Sequence, residues 1–285
     1  MVMMRILITG GKGMLGRTLQ RKLAMHTLSV ADLPEVDITD EASIRMACEA
    51  FRPDVVIHCA AMTNVDGCES QPDVAMLVNG TGSENVAKAA AACGARLIAF
   101  STDYVFRGDS DVPYTEADEP APQTRYGQSK LAGEQAILRV LPERSTIVRI
   151  AWLYGPGGPS FVHTMYRLGA QPGVPLRVVD DQRGNPTSTE AVADLTVRLL
   201  DRPIPGIVHG TCEGEATWYE FTREIFRLAK LGREVVPCTT AEFPRPAPRP
   251  ANSRLAKTVL AKHGFPPMPD WHDALRKFLE QGPID

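Results

Sequence analysis

No apolar stretch in this 285-residue chain approaches the roughly 18–20 residues that a membrane-spanning helix requires. Net charge is also scarce: the formal value is −3, which argues against a nucleic-acid or membrane-surface binder. The six cysteines (Cys48, Cys59, Cys68, Cys93, Cys212 and Cys238) include no close CxxC pair. With Cys59 and Cys93 in or near apolar segments, they read as small core residues of a reduced, cytoplasmic protein. His58, Cys59 and Cys68 are near one another in sequence, but strand alternation turns His58 and Cys59 to opposite faces, so no metal site is predicted. No internal repeat is present. The N-terminal run carries one arginine and enters a glycine-rich turn, so it reads as a first strand and not as a cleavable leader.

Apolar strands and amphipathic helices alternate through the first half. Met4–Thr9, Leu28–Ala31, Asp54–Cys59, Arg96–Ser101 and Ser145–Ala151 read as strands. The third is apolar on both faces, as a covered parallel strand must be. Between them lie helix candidates at Met14–Lys22, after a cap at Thr39 or Asp40 and up to Pro53, at Asn79–Cys93, and from Tyr126 to about Arg139. This predicts an α/β fold with a doubly wound parallel sheet, the Rossmann arrangement. A loop from Val105 to Gln123, rich in Asp, Glu and Pro, is long enough to be functional or mobile. Beyond Trp152 the texture changes to shorter elements, including helices at Asp194–Leu200 and Trp218–Lys230 and a strand at Ile207–His209. The expected division is a dinucleotide-binding part over residues 1–151, with 186–205 returning to it, and a smaller substrate-binding part over 152–185 and 206–285. A ligand belongs in the cleft between them. Residues 244–250 alternate proline with other residues and read as extended chain, and the end from Gly282 to Asp285 reads as loose.

Directly after the first strand stand Gly10, Gly13 and Gly16. Gly10 permits a sharp turn, Gly13 lets backbone approach a pyrophosphate, and Gly16 permits close helix packing. The pyrophosphate would rest on amides at the start of the following helix, near Met14 and Leu15. Lys12 is not followed by the Ser/Thr of a nucleotide-triphosphate loop. Asp32, 22 residues after Gly10, is placed to accept hydrogen bonds from the adenosine ribose. Lys12 and Arg17 could offset its repulsion of a phosphate, so NADH and NADPH both remain open. Asp37 and Ile38 are candidates to flank the adenine, and the small residues Cys59, Ala60 and Ala61 leave room for the cofactor backbone.

Tyr126 and Lys130 are four residues apart and share one helix face. A phenol is a poor proton exchanger at neutral pH, with a pKa near 10, but a neighbouring ammonium favours the phenolate. Lys130 can also bond ribose hydroxyls. Thr102, at the end of the fourth strand, can donate to a carbonyl oxygen on which negative charge develops. Thr102, Tyr126 and Lys130 therefore form a candidate catalytic triad beside a nicotinamide.

These residues resemble the extended short-chain dehydrogenase/reductase family and, within it, the enzymes that reduce dTDP-linked 4-keto-6-deoxy sugars. Ser101–Phe106, Tyr126–Glu134, Arg149–Tyr154, Asp181–Thr187 and Arg249–Leu255 carry the resemblance across nearly the whole chain. It implies hydride transfer from NADPH or NADH to C4 of the sugar. Tyr126 would give the proton, Thr102 would orient the ketone and Lys130 would tune Tyr126. Asp66, Asp103, Tyr104 and Trp152 would surround the sugar, with Glu69 nearby, and the protein would form a homodimer. Thr102-Asp103 is followed directly by Tyr104, where dehydratases carry an acid, which favours simple reduction. His58 departs from the asparagine more common in the group, and a magnesium requirement is left open. The other classes in play are a sugar-nucleotide epimerase or dehydratase, and a regulatory nucleotide-binding subunit resembling the beta subunit of methionine adenosyltransferase.

Overall fold

The computed structural model describes residues 2–280. Its strands are β1 (Arg5–Thr9), β2 (Thr27–Ala31), β3 (Val55–His58), β4 (Arg96–Thr102), β5 (Ser145–Ile150), β6 (Leu176–Val179), β7 (Gly206–His209) and β8 (Val235–Cys238), with shorter two-residue strands between. Six of them form one parallel sheet in the order β7-β5-β4-β3-β1-β2. The main helices are α1 (Met14–Lys22), α2 (Glu41–Phe51), α3 (Gly82–Ala92), α4 (Arg125–Val140), α5 (Phe161–Gly169), α6 (Thr189–Asp201), α7 (Trp218–Ala229) and α8 (Trp271–Leu279).

The period-two pattern of the strands sorts the core into two layers. Ile6, Ile8, Val55, Ile57 and Val148 face α1 and α6, where they meet Leu19, Leu195 and Leu199. Leu7, Val56, Leu97 and Ile147 face α2, α3 and α4, where they meet Ile44, Val86 and Ile137. Each such aliphatic side chain stabilises the fold by about 1.5–3 kcal/mol on burial, which only a sheet covered on both sides can collect from consecutive residues. The doubly wound α/β fold is therefore as expected.

Local chemistry sets the boundaries. Asp40, one of the two expected caps, accepts the Ala42 N–H at 2.9 Å and starts α2. Arg52 ends it in a left-handed conformation (φ 51°) just before Pro53. The helix expected from Asn79 begins instead at Gly82. It is preceded by helical pieces at Val65–Ser70 and Pro72–Ala75 and by a π-helical turn at Met76–Thr81. The helix expected from Asp194 starts earlier, at Thr189, because the Ser188 hydroxyl caps it by accepting the Ala191 N–H at 3.2 Å. β7 pairs with β5, so residues 206–209, expected in the smaller part, lie in the central sheet. The reason is two-sided burial: Val208 packs in one layer and Ile207 against the other.

β6 and β8 form a separate parallel pair beyond the central sheet. The loop after β4 is ordered by its own polar groups. The Tyr114 hydroxyl accepts the N–H groups of Gly108, Asp109 and Ser110, and Glu116 accepts the N–H of His209 and of Thr258. All six cysteines are unpaired. No helix among the described residues is long and apolar enough to cross a membrane. The tail expected to be loose, Gly282–Asp285, lies outside the described residues.

Candidate active site

The chain builds outward in one direction through β1 and β2 and in the other through β3, β4 and β5, so a crevice opens where β1 and β3 end side by side. A cleft of about 740 Å³ lies there. Gly10, Gly13, Met14, Leu15, Cys59 and Ala61 line it, and so do Thr102, Asp103, Tyr104, Tyr126, Lys130 and Trp152. These twelve expected residues thus share one space.

Gly10 has φ +64°, and a Cβ on it would lie 2.5 Å from the Ala60 nitrogen. Only glycine allows β1 and β3 to come this close. A Cβ on Gly16 would fall 2.5 Å from the Gly10 carbonyl oxygen, so Gly16 presses the helix onto the turn and not onto the sheet. α1 starts at Gly13 with no side-chain cap and no acid in its first turn. Its N-terminal amides and positive dipole end are left for an anion, which fits a dinucleotide's diphosphate.

Other expected cofactor residues make contacts within the chain and lie outside the cleft lining. Asp32 accepts the Lys12 N–H at 2.8 Å and the Leu33 N–H at 2.9 Å, so its carboxylate braces the glycine turn. Lys12 itself pairs with Glu35 at 3.0 Å. Asp37 accepts both the N–H and the hydroxyl of Thr39. Ile38, expected beside the adenine, is buried in the core against the chain at Gly82. Ala60 contributes the backbone that meets Gly10, and neither it nor Asp32, Asp37 or Ile38 lines the cleft.

Tyr126 and Lys130 occupy the first turns of α4, which Thr124 caps by accepting the Gly127 N–H at 3.0 Å and Glu69 holds by accepting the Arg125 N–H at 2.8 Å. A Cβ on Gly127 would fall 2.2 Å from the Tyr104 carbonyl oxygen. Glycine there lets α4 sit directly against the turn after Thr102. Tyr104 packs edge-on to Tyr126, with ring centroids 5.5 Å apart. The Lys130 ammonium donates to the Phe100 carbonyl at 2.8 Å, leaving two of its three protons for other acceptors. Burial lowers the Lys130 pKa to about 8, opposed by the nearby Glu134 carboxylate. Burial raises that of Tyr126, opposed by its hydrogen bond with Thr102. Lys130 is not among the groups that shift it, so the expected lowering is absent in this geometry and burial holds Tyr126 as the phenol.

Thr102 donates to Asp103 at 3.0 Å and accepts the Tyr104 N–H at 3.2 Å. Its single hydroxyl proton must turn away from Asp103 to reach a ketone. Burial raises the Asp103 pKa to about 6, opposed by the Ser253 and Thr102 hydroxyls. Trp152 has φ +49° and stacks on Trp218 with ring centroids 3.4 Å apart; a Cβ on Gly184 would strike its indole. Asp66 does not line the cleft: it pairs with Arg249 at 2.8 Å and accepts the Ala247 N–H at 3.1 Å. His58 is buried between Thr9 (2.7 Å) and Ser83 (3.1 Å), with its pKa lowered to about 3 by burial. Sequence reasoning missed Gly127 and the cleft-lining Arg177, Gln182, Trp218 and Arg245. The proline alternation over 244–250 was the one signal near Arg245.

The sequence matches the family described as RmlD substrate binding domain over residues 4–283. The chain belongs to the RmlD substrate binding domain family. Among its relatives is a dTDP-4-dehydrorhamnose reductase of Streptomyces griseus, 46% identical over 95% of this chain and 91% of that protein. A probable dTDP-4,6-dihydroxy-2-methyloxan-3-one 4-ketoreductase of Streptomyces antibioticus is 44% identical over 96% of this chain and 94% of that one. The structure of a dTDP-4-dehydrorhamnose reductase from Bacillus anthracis, solved in complex with NADP, superposes with a TM-score of 0.96 at 37% identity, covering 99% of this chain and 100% of that one. The extended short-chain dehydrogenase/reductase resemblance thus narrows to the RmlD family.

Proposed function

We propose that this RmlD-family protein is a dTDP-4-dehydrorhamnose reductase. It reduces the C4 ketone of dTDP-4-dehydro-L-rhamnose to dTDP-L-rhamnose with NADPH or NADH, and Tyr126 gives the proton. The observation that carries this is the convergence of Thr102, Tyr126 and Lys130 on the cleft that also holds the Gly10–Gly13 turn. When bound, the nicotinamide supplies hydride. The uncapped start of α1 takes the dinucleotide's diphosphate, and Lys130 offers its two remaining protons to ribose hydroxyls. Thr102 and Tyr126 address the ketone oxygen. Tyr126, kept as a phenol by burial, is in the protonation state that reduction needs, and it passes its proton to the C4 oxygen as charge develops there. Lys130 stays largely protonated at neutral pH and stabilises the tyrosinate left behind. Asp103, Tyr104 and Trp152 shape the sugar site. A homodimer in the cytoplasm goes with this reading.

The test is oxidation of NADPH and NADH with dTDP-4-dehydro-L-rhamnose, with the C4 configuration of the product read by NMR. One equivalent of dTDP-L-rhamnose per cofactor oxidised is expected. Turnover only with a different dTDP-4-keto sugar would refute the sugar assignment, and a product formed without net cofactor consumption would refute the reductase.

A further inference from the structure

The proposed reaction brings two diphosphates into one cleft, one in the dinucleotide and one in the sugar nucleotide. The glycine turn and the start of α1 provide for the first. The second is suited by a cation, and the C-terminal half of the chain contributes arginines to the cleft lining.

Four basic residues line the cleft: Lys130, Arg177, Arg245 and Arg249. Three are engaged. Lys130 is buried and donates to the Phe100 carbonyl. Arg177 pairs with Glu242. Arg249 pairs with Asp66 at 2.8 Å and donates to the Ala247 carbonyl at 3.0 Å. Arg245 has no carboxylate within ion-pair distance among the described residues; its guanidinium lies over the Phe243 ring, 4.9 Å from the centroid. An aromatic face orients an arginine without neutralising it.

The backbone that carries Arg245 is already fixed. Pro244 and Pro246 flank it and restrict the local dihedrals. Asp66, on the segment after β3, holds the strap from the other side through the Ala247 N–H and Arg249. The Asp66 carboxyl is held below its ordinary range, against its partial burial, by the Ala247 N–H, by Arg249 and at longer range by Arg245. The strap therefore lines the cleft with one arginine neutralised as an anchor and one without a carboxylate partner among the described residues. An exposed, pre-placed guanidinium with parallel N–H donors suits a diphosphate, which it can bind in bidentate fashion.

We infer that Arg245 binds the diphosphate of the sugar-nucleotide substrate, on a strap that the Asp66–Arg249 pair pins beside the cleft. This rests on the proposed activity toward dTDP-sugars.

The experiment compares wild type with Arg245→Gln and Arg245→Lys. Equilibrium binding of dTDP and of thymidine is measured by calorimetry, and steady-state kinetics with dTDP-4-dehydro-L-rhamnose. Arg245→Gln should weaken dTDP binding and raise the sugar-nucleotide KM by about tenfold or more. Thymidine binding, the cofactor KM and kcat should stay within about threefold, because the lost contact is to a remote charge equally bound in ground and transition states. Arg245→Lys should recover part of the loss, since it keeps the charge but not the fork. Unchanged dTDP affinity in Arg245→Gln, with wild type active on the sugar nucleotide, would overturn this inference alone. A wild-type protein that neither binds dTDP nor turns the substrate over would overturn the proposed activity and this inference together.

Discussion

Replacing Glu134 by glutamine should destabilise the protein by about 3–5 kcal/mol, although the substitution changes almost no volume. Glu134 is 3% and Arg149 1% exposed, and they meet through two bonds of 2.9 and 2.6 Å. An exposed pair of the same geometry would be worth only about 0–1 kcal/mol. Burial decides the difference, because the variant leaves a guanidinium without its counter-charge. The rest of the surroundings offers little compensation: Arg149 Nη1 already lacks a partner, and the cation lies over the Phe106 ring, 4.8 Å from its centroid. Urea unfolding at pH 7 measures the loss as a fall in midpoint at unchanged slope. The double variant Glu134→Leu/Arg149→Met removes both charges and should be within about 2 kcal/mol of wild type. A loss below about 1 kcal/mol for Glu134→Gln would refute the claim that this buried pair fastens α4 to β5. The pair also bears on chemistry, because Glu134 is one turn beyond Lys130 and opposes the lowering of its pKa.

Asp103→Asn should stabilise the fold at pH 7 by about 1–3 kcal/mol. The folded-state pKa of about 6 is above the ordinary carboxylate value, so the ionised group costs stability at pH 7. That cost fades as pH falls through 6 toward 4, and melting temperatures should show the variant's advantage at pH 7 and none at pH 4. Lys130 should give kcat/KM a descending limb centred near pH 8, as its ammonium is lost; a flat profile from pH 7 to 9 would count against that role. Gly127→Ala should cut kcat by about a hundredfold, since backbone at Tyr104 cannot yield to a Cβ at 2.2 Å and Tyr126 must move.

Much of this was legible in the sequence because it is local. The helix Met14–Lys22 has the bounds its pattern implied. Tyr126 and Lys130 share a face because four residues make about one helical turn. What was not legible depends on contacts between distant residues. Asp66 was expected near the sugar by resemblance alone, and its ion pair with Arg249, 183 residues away, has no local signal. Asp32 had the spacing for a ribose, and that its carboxylate also accepts the Lys12 amide was not visible from spacing. The strand at β7 was visible, but its place beside β5 was not, since period-two patterning carries no information on which neighbour a strand chooses. The π-helical turn at Met76–Thr81 leaves no residue signature of its own in the apolar and small residues there.

The most direct measurement is single-turnover reduction by Tyr126→Phe alongside wild type, with cofactor binding followed by nicotinamide fluorescence. Loss of the phenolic proton should slow the step by about 10²–10⁴-fold while cofactor affinity stays within about threefold. A variant that reduces the ketone at the wild-type rate would contradict the assignment of Tyr126 as the proton donor.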